Sequence, residues 1–434
     1  MELTNQRQKV SLSILKKDAE TGKPLEGVVF GLYAQENIKN AAGEVVVEKD
    51  ALIELGTTDE KGKLVFQADL PHGKYYIQEV EHKPGYLPND EVYSFDASYT
   101  DQTLELLAFS EEISNQPTIT EFTKVDLTGG QEIEGAKMQI LDQDGKVVEE
   151  WVSKKEPHVV YALEQGEYVL HEEQAPTEQG YVRAEDVKFV VEETGDVQKV
   201  KMEDDHTKVS ISKTDITDGK EIEGAKLQIL DQDGEVVESW TTGEEHLIEY
   251  LPVGTYTLHE EAAVDGYIVA NDVEFTVEET GEIQKVKMED ERAMGQLVIV
   301  KTDTDSKAAL EGVEFVLLEK ETGKEVGRLK TGKDGKAVSE LLPIGTYENG
   351  VFKEPITYVL KETATLKGYE KTEEEWEIVF TYQNDKTPVI EVVKEIQNKK
   401  IPETPGTVKP GPKTGDDTNW FLPLLALGVS AGMV

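Results

Sequence analysis

The chain has 434 residues, no cysteine, and 88 acidic against 45 basic side chains, a formal net charge of −43 at pH 7. That length exceeds one ordinary core and calls for several domains. The charge repels nucleic acid and anionic lipid and favours an extended object, and the missing thiols exclude disulfides and thiolate chemistry. With 38% hydrophobic residues the chain is too apolar for general disorder and is expected to fold.

The start, Met1-Glu2-Leu3-Thr4-Asn5-Gln6, lacks a charged region followed by an apolar one. It is therefore read as cytoplasmic or as missing its true beginning. Further along, Ile133-Glu134-Gly135-Ala136-Lys137-Met138-Gln139-Ile140-Leu141-Asp142-Gln143-Asp144-Gly145 recurs from Ile222 to Gly234 with only Met138 changed, to Leu227. Leu25-Glu26-Gly27-Val28 and Leu310-Glu311-Gly312-Val313 are weaker copies. Four tandem units follow, at 8–116, 117–205, 206–292 and 293–399, with insertions at 37–50 and 348–355 enlarging the outer two.

Within the units, short runs of alternating polarity rich in Val, Ile, Tyr and Phe predict strands, as at 10–15, 63–67, 74–80, 187–191 and 273–277. No long 3.6-residue periodicity interrupts them. Asp144-Gly145, Asp233-Gly234 and Asp334-Gly335 suit hairpin turns with positive φ. About seven strands per unit make the fold class all-β, a tandem array of four Ig-like antiparallel β-sandwiches.

Past Lys399 the composition shifts to a Pro/Gly-rich spacer, 400–419, expected to be extended. An apolar run, 420–434, is too short for a bilayer span and reads as a truncated anchor segment.

Asp142-x-Asp144-Gly145 and its copy at Asp231 lack the further oxygen ligands and terminal glutamate of a calcium loop, and Val-Val follows at once, so a hairpin turn is the reading. His171 and His259 beside Glu172 and Glu260, and His158 and His246 elsewhere, read as partly exposed strand positions rather than metal ligands. No nucleophile elbow, phosphate loop, zinc helix or dinucleotide fingerprint occurs, so neither a conventional enzyme nor a cofactor is expected.

A pattern of charged and polar residues does recur in every unit. Lys-x-Asp stands near each start: Lys16-Lys17-Asp18, Lys124-Val125-Asp126, Lys213-Thr214-Asp215 and Lys301-Thr302-Asp303. Tyr-x-x-x-Glu comes two thirds along, ending at Glu79, Glu172, Glu260 and Glu362, and a Gly-Tyr pair follows at Tyr86, Tyr181, Tyr267 and Tyr369. At each end an apolar residue stands two before Asn115, Asp204, Asp290 or Asn398. One such triad in a chain that is 31% charged is a solvated strand face; four in the same order are a signal, although duplication alone preserves structural roles too.

These residues resemble the B-type, prealbumin-like repeats of Gram-positive pilins and collagen adhesins, and Tyr-x-x-x-Glu with Gly-Tyr resembles the pilin E-box. The resemblance implies spontaneous Lys to Asn/Asp isopeptide bonds: Lys16–Asn115, Lys124–Asp204, Lys213–Asp290 and Lys301–Asn398, promoted by Glu79, Glu172, Glu260 and Glu362. Lys17 leaves the first lysine open. The segment Pro412, Lys413, Thr414, Gly415 resembles an LPXTG sorting signal with Gly411 in the leucine position. It implies sortase and peptidoglycan as partners and an extracellular, wall-anchored location. The expected function is a non-enzymatic stalk of an adhesin or pilus-associated protein, with a host matrix protein as a partner of a region preceding the repeats. Direct binding of a matrix ligand by a repeat is the alternative; a pilin assembly subunit is another, but the Trp…Tyr-Pro-Lys motif it needs is missing.

Overall fold

The computed structural model describes residues 7–99 and 103–403. Pro412, Lys413, Thr414, Gly415 and the run 420–434 lie outside the described residues. Two compact units emerge. One runs to Glu291 and includes Asn349–Val351; it holds the first three modules. The other, Arg292–Glu348 with the residues from Phe352 on, holds the fourth.

Every module is a sandwich of two small sheets. In the first, Lys9–Asp18 lies between Lys63–Val65 and Leu106–Asn115. The facing sheet runs Leu52–Thr57, Val29–Ala34, Lys74–Glu81, Val92–Asp96. The second module repeats this with Ile119–Asp126 between His158–Tyr161 and Val197–Asp204, opposite a sheet centred on Lys137–Leu141 and Gly166–Gln174. In the third, Lys208–Asp215 pairs with Ile283–Arg292; in the fourth, Met294–Asp303 pairs with Val389–Asn398. The predicted strands are present, with 187–191 and 273–277 matching Val187–Val191 and Val273–Val277.

The pairing differs from the antiparallel expectation at one place in each module: the first and last strands run parallel. Alternation of polarity fixes which face a residue takes but is the same for either direction of the partner strand. Parallel pairing places Lys16 opposite Ile113 and Asp18 opposite Asn115, so Lys16 and Asn115 are diagonal neighbours on one face.

Alternate residues of both sheets meet in the core. Leu12, Ile14 and Ile113 of one sheet pack with Phe30, Leu32, Tyr75 and Ile77 of the other. The second module buries Phe122, Met138, Ile140, Leu170 and Met202 in the same way. The Asp142 loop is a hairpin turn: Oδ1 accepts from the amides of Asp144 and Lys146, both at 2.9 Å, and Gly145 takes φ 77°. Among the described residues no helix is long and apolar enough to cross a membrane.

Candidate functional site

The strand period decides which lysine enters the core. Leu12, Ile14 and Lys16 alternate inward, so Lys16 is fully buried while Lys17 points out to Glu112 at 2.7 Å. Its ammonium meets Asn115 Oδ1 on the neighbouring strand, and Glu79 Oε2 reaches it from the opposite sheet at 3.0 Å. Asn115 Nδ2 donates to Glu79 Oε1 at 2.9 Å, which closes a three-cornered network. The fourth module repeats it. Lys301 Nζ lies 2.8 Å from Glu362 Oε2 and against Asn398 Oδ1, and Asn398 Nδ2 donates to Glu362 Oε1 at 2.7 Å. Phe30 and Phe315 wall these two sites, their ring centres 5.5 and 5.7 Å from the lysine nitrogens.

The middle modules assemble the same corners with aspartate. Lys124 meets Glu172 Oε2 at 2.9 Å and Asp204 Oδ1; Lys213 meets Glu260 Oε2 at 2.9 Å and Asp290 Oδ1. All four predicted triads are thus brought together, each linking the first and last strands to the facing sheet. Met138 and Leu227 replace the phenylalanine wall, opposite Glu172 and Glu260.

Burial governs the electrostatics. It draws the Lys16 and Lys301 ammonium groups below the ordinary lysine range, against the pull of Glu79 and Glu362. It pushes the Asp204 and Asp290 carboxyls up to about 7; the lysine opposes this and the charge and hydrogen bonding of Glu172 or Glu260 add to it. Glu172 Oε1 and Asp204 Oδ2 have no donor, and neither do Glu260 Oε1 and Asp290 Oδ2. An asparagine would place an N–H there, as Asn115 does. With two carboxyls, a single shared proton would restore the missing bond and leave the site neutral overall.

Two further parts hold the triads, and sequence reading had found their residues without joining them. The Asp of Lys-x-Asp accepts from the Tyr of Gly-Tyr: Tyr86 Oη to Asp18 Oδ2 at 2.8 Å, Tyr267 Oη to Asp215 Oδ2 at 2.7 Å. The loop after that tyrosine caps the glutamate, with the Asn89 amide on Glu79 at 3.1 Å, Ala184 on Glu172 at 2.8 Å and Ala270 on Glu260 at 2.7 Å.

The four histidines singled out in the sequence make their contacts outside the triads. His171 and His259 pair with Asp186 and Asp272 at 2.7 Å, while His158 and His246 stack on Trp151 and Trp240 at 4.3 and 4.5 Å. Among the described residues no group of three such side chains is placed to hold a metal ion.

A repeated two-sheet module with a buried amine, carboxyl and amide or acid at its seam defines one class of β-sandwich domain. The chain belongs to the SpaA family of prealbumin-like fold domains, whose model matches residues 10–109, 118–206, 207–292 and 295–355. Among solved structures it is similar to the Bacillus anthracis TIE protein, at 22% identity and TM-score 0.47 over 92% of this chain and 76% of that one. It is also similar to BcpA, the major pilin subunit of Bacillus cereus, at 14% identity and TM-score 0.28, over 66% of this chain and 100% of that one. GBS52, the minor pilin of Streptococcus agalactiae, matches at 16% identity and TM-score 0.20, over 45% and 95%. Comparison with the curated proteins gives no match.

Proposed function

We propose that the chain is a non-enzymatic, extracellular stalk whose four modules each seal themselves with one amide bond between the first and last strands. The observation that carries this is the fourfold recurrence of a buried lysine nitrogen set against the side-chain carbonyl of Asn115, Asp204, Asp290 or Asn398, with a glutamate paired to each lysine and, in the two asparagine modules, accepting from the amide as well. The neutral amine attacks the acceptor's Cγ, and an N–C bond forms. At Asn the C–N bond breaks and ammonia leaves; at Asp the C–O bond breaks and water leaves. The glutamate takes the proton from the amine and returns it to the leaving group, so atoms balance without a cofactor. Fixed neighbours replace a chance encounter, which supplies much of the rate.

Tension through the two ends of a module then runs through a covalent bond instead of the sheet's hydrogen bonds, a property suited to a cysteine-free stalk under shear. Intact-mass measurement of the purified chain tests the reading: a deficit of two ammonia and two water molecules is expected, and the full calculated mass would reduce the triads to structural charge clusters.

Wall attachment through cleavage between Thr414 and Gly415 by a sortase belongs to the same reading, supported by the Pro/Gly-rich composition of the spacer, of the kind that favours an extended peptide over a packed one. A spacer peptide incubated with a housekeeping sortase and a glycine nucleophile should give a product ending in Thr414. Cleavage only of a Gly411→Leu peptide would make the natural segment a relic or the substrate of a divergent enzyme.

A further inference from the structure

The second module's triad is bordered by residues of the third. Two positions beyond Lys124 on its strand stands Asp126, and two beyond Asp204 comes His206. Both meet Tyr250, from the loop that opens the third module's Gly254–Ala262 strand. Tyr250 Oη donates to Asp126 Oδ2 at 2.9 Å and lies 3.0 Å from Thr128 Oγ1. Its ring stacks on buried His206 with centroids 3.9 Å apart.

In the first and third modules the matching Oδ2 atom accepts from a tyrosine of the same module, Tyr86 or Tyr267. In the second, Tyr181 also hydrogen-bonds Asp126, its hydroxyl pushed up to about 12 by burial, by that charge and by that bond, and Tyr250 arrives from the next module as a further donor.

The backbone is interlocked as well. Gly180 O accepts from Thr207 at 2.8 Å, and Thr207 O accepts from Tyr250 at 3.0 Å, so the linker is the middle line of a small ladder. A Cβ on Gly180 would lie 2.3 Å from Tyr250 O. Tyr250 itself takes φ 61°, a conformation uncommon for a side chain of its size. The Gly180 loop continues to Ala184, whose amide caps Glu172. All three corners of the triad, Lys124, Asp204 and Glu172, are therefore within a few residues of a contact with the third module.

We propose that docking of the third module sets the second module's triad, with Tyr250 as a positioning residue for the Lys124–Asp204 bond. The proposal rests on the cross-link reading above. The first module is the internal control: the residue seated over Gly85 is Ala162, which has no hydroxyl to offer Asp18. An acid acceptor is the harder one to activate, which is where placement matters most.

The test uses the full chain, released from pulse-labelled synthesis and peptide-mapped over time, with Tyr250→Phe and Gly180→Ala as variants. Gly145→Ala controls for backbone strain, since Gly145 has φ 77° and open space around its would-be Cβ. Both variants should slow water loss in the second module by about tenfold, the effect of roughly 1.4 kcal/mol in the barrier, while ammonia loss in the first module and the Gly145→Ala chain keep the unaltered rate. The Asp126 carboxyl resonance should titrate at higher pH in Tyr250→Phe, since the hydroxyl helps to hold it well below the usual carboxylate range. A shifted Asp126 resonance with unaltered water loss would overturn the positioning role alone. A second module that retains its full mass in the unaltered chain would overturn the cross-link reading there and this proposal with it.

Discussion

Glu362→Ala is expected to return one ammonia to the mass of the chain and to lower the unfolding temperature of the fourth module by roughly 20 °C or more. Lys301 and Asn398 are 97 residues apart, so the proposed bond would close nearly the whole module into a loop. By the chain-entropy account of cross-links, a loop of about 100 residues is worth about 4–5 kcal/mol at 25 °C. A module of this size shifts by about 4–8 °C per kcal/mol. The variant also leaves the fully buried Lys301 without its anion, a loss of the kind that costs about 3–5 kcal/mol when one partner of a buried pair is removed. Glu375→Ala is the control: Glu375 pairs with Lys361 at 2.5 Å on the exposed face, where such pairs contribute about 0–1 kcal/mol. Calorimetry with intact-mass analysis reads both quantities. A Glu362→Ala chain that still lacks the ammonia would remove Glu362 from the chemistry, and one that regains it without losing stability would leave the bond without a mechanical role.

The corners of each triad were legible because four copies repeat the order Lys, Glu, Asn or Asp; the choice between Lys16 and Lys17 stayed open until the structure placed Lys16 in the core with Leu12 and Ile14 and turned Lys17 out to Glu112. What stayed hidden depended on pairing across long separations. Lys-x-Asp and Gly-Tyr were both visible, but no spacing rule says that Tyr86 reaches Asp18. Nor does alternation reveal that the first strand runs parallel to the last, the arrangement that makes Lys16 and Asn115 diagonal neighbours. The contact of Tyr250 with Asp126 spans 124 residues and joins two modules, so repeat comparison, which aligns Tyr250 with Ala162, conceals it. One signal was present and unused: Phe30 and Phe315 accompany the asparagine sites, whereas Met138 and Leu227 accompany the aspartate sites, so wall and acceptor change together.

The two kinds of acceptor should respond to pH differently. An amide does not titrate in the physiological range, so at Asn115 and Asn398 the rate follows the neutral fraction of Lys16 or Lys301. That fraction grows with pH and is already enlarged by burial. At Asp204 and Asp290 the acceptor must also be the neutral acid, because a carboxylate is a poor electrophile. Their carboxyls are raised to about 7, so the acid is abundant below that pH and is lost as pH rises through it. Below about 7 both kinds of bond should form faster as pH rises; above it the gain in neutral amine is cancelled at the aspartates by the loss of acid. The ratio of ammonia-losing to water-losing rates should therefore climb by up to about tenfold per pH unit above 7. The unlinked precursors of the second and third modules carry the matching stability signature: a carboxyl raised from about 3.9 stabilises the fold at low pH and loses that contribution between about pH 4 and 7. Asp204→Asn and Asp290→Asn should abolish the levelling-off and convert each water loss into an ammonia loss, as read by peptide-mapped mass after transfer of newly made chains into buffers from pH 5 to 9. Equal pH slopes at all four sites in the unaltered chain would mean that the aspartate carboxyl is not the group that limits its own bond, and that the shared proton is not part of the reaction.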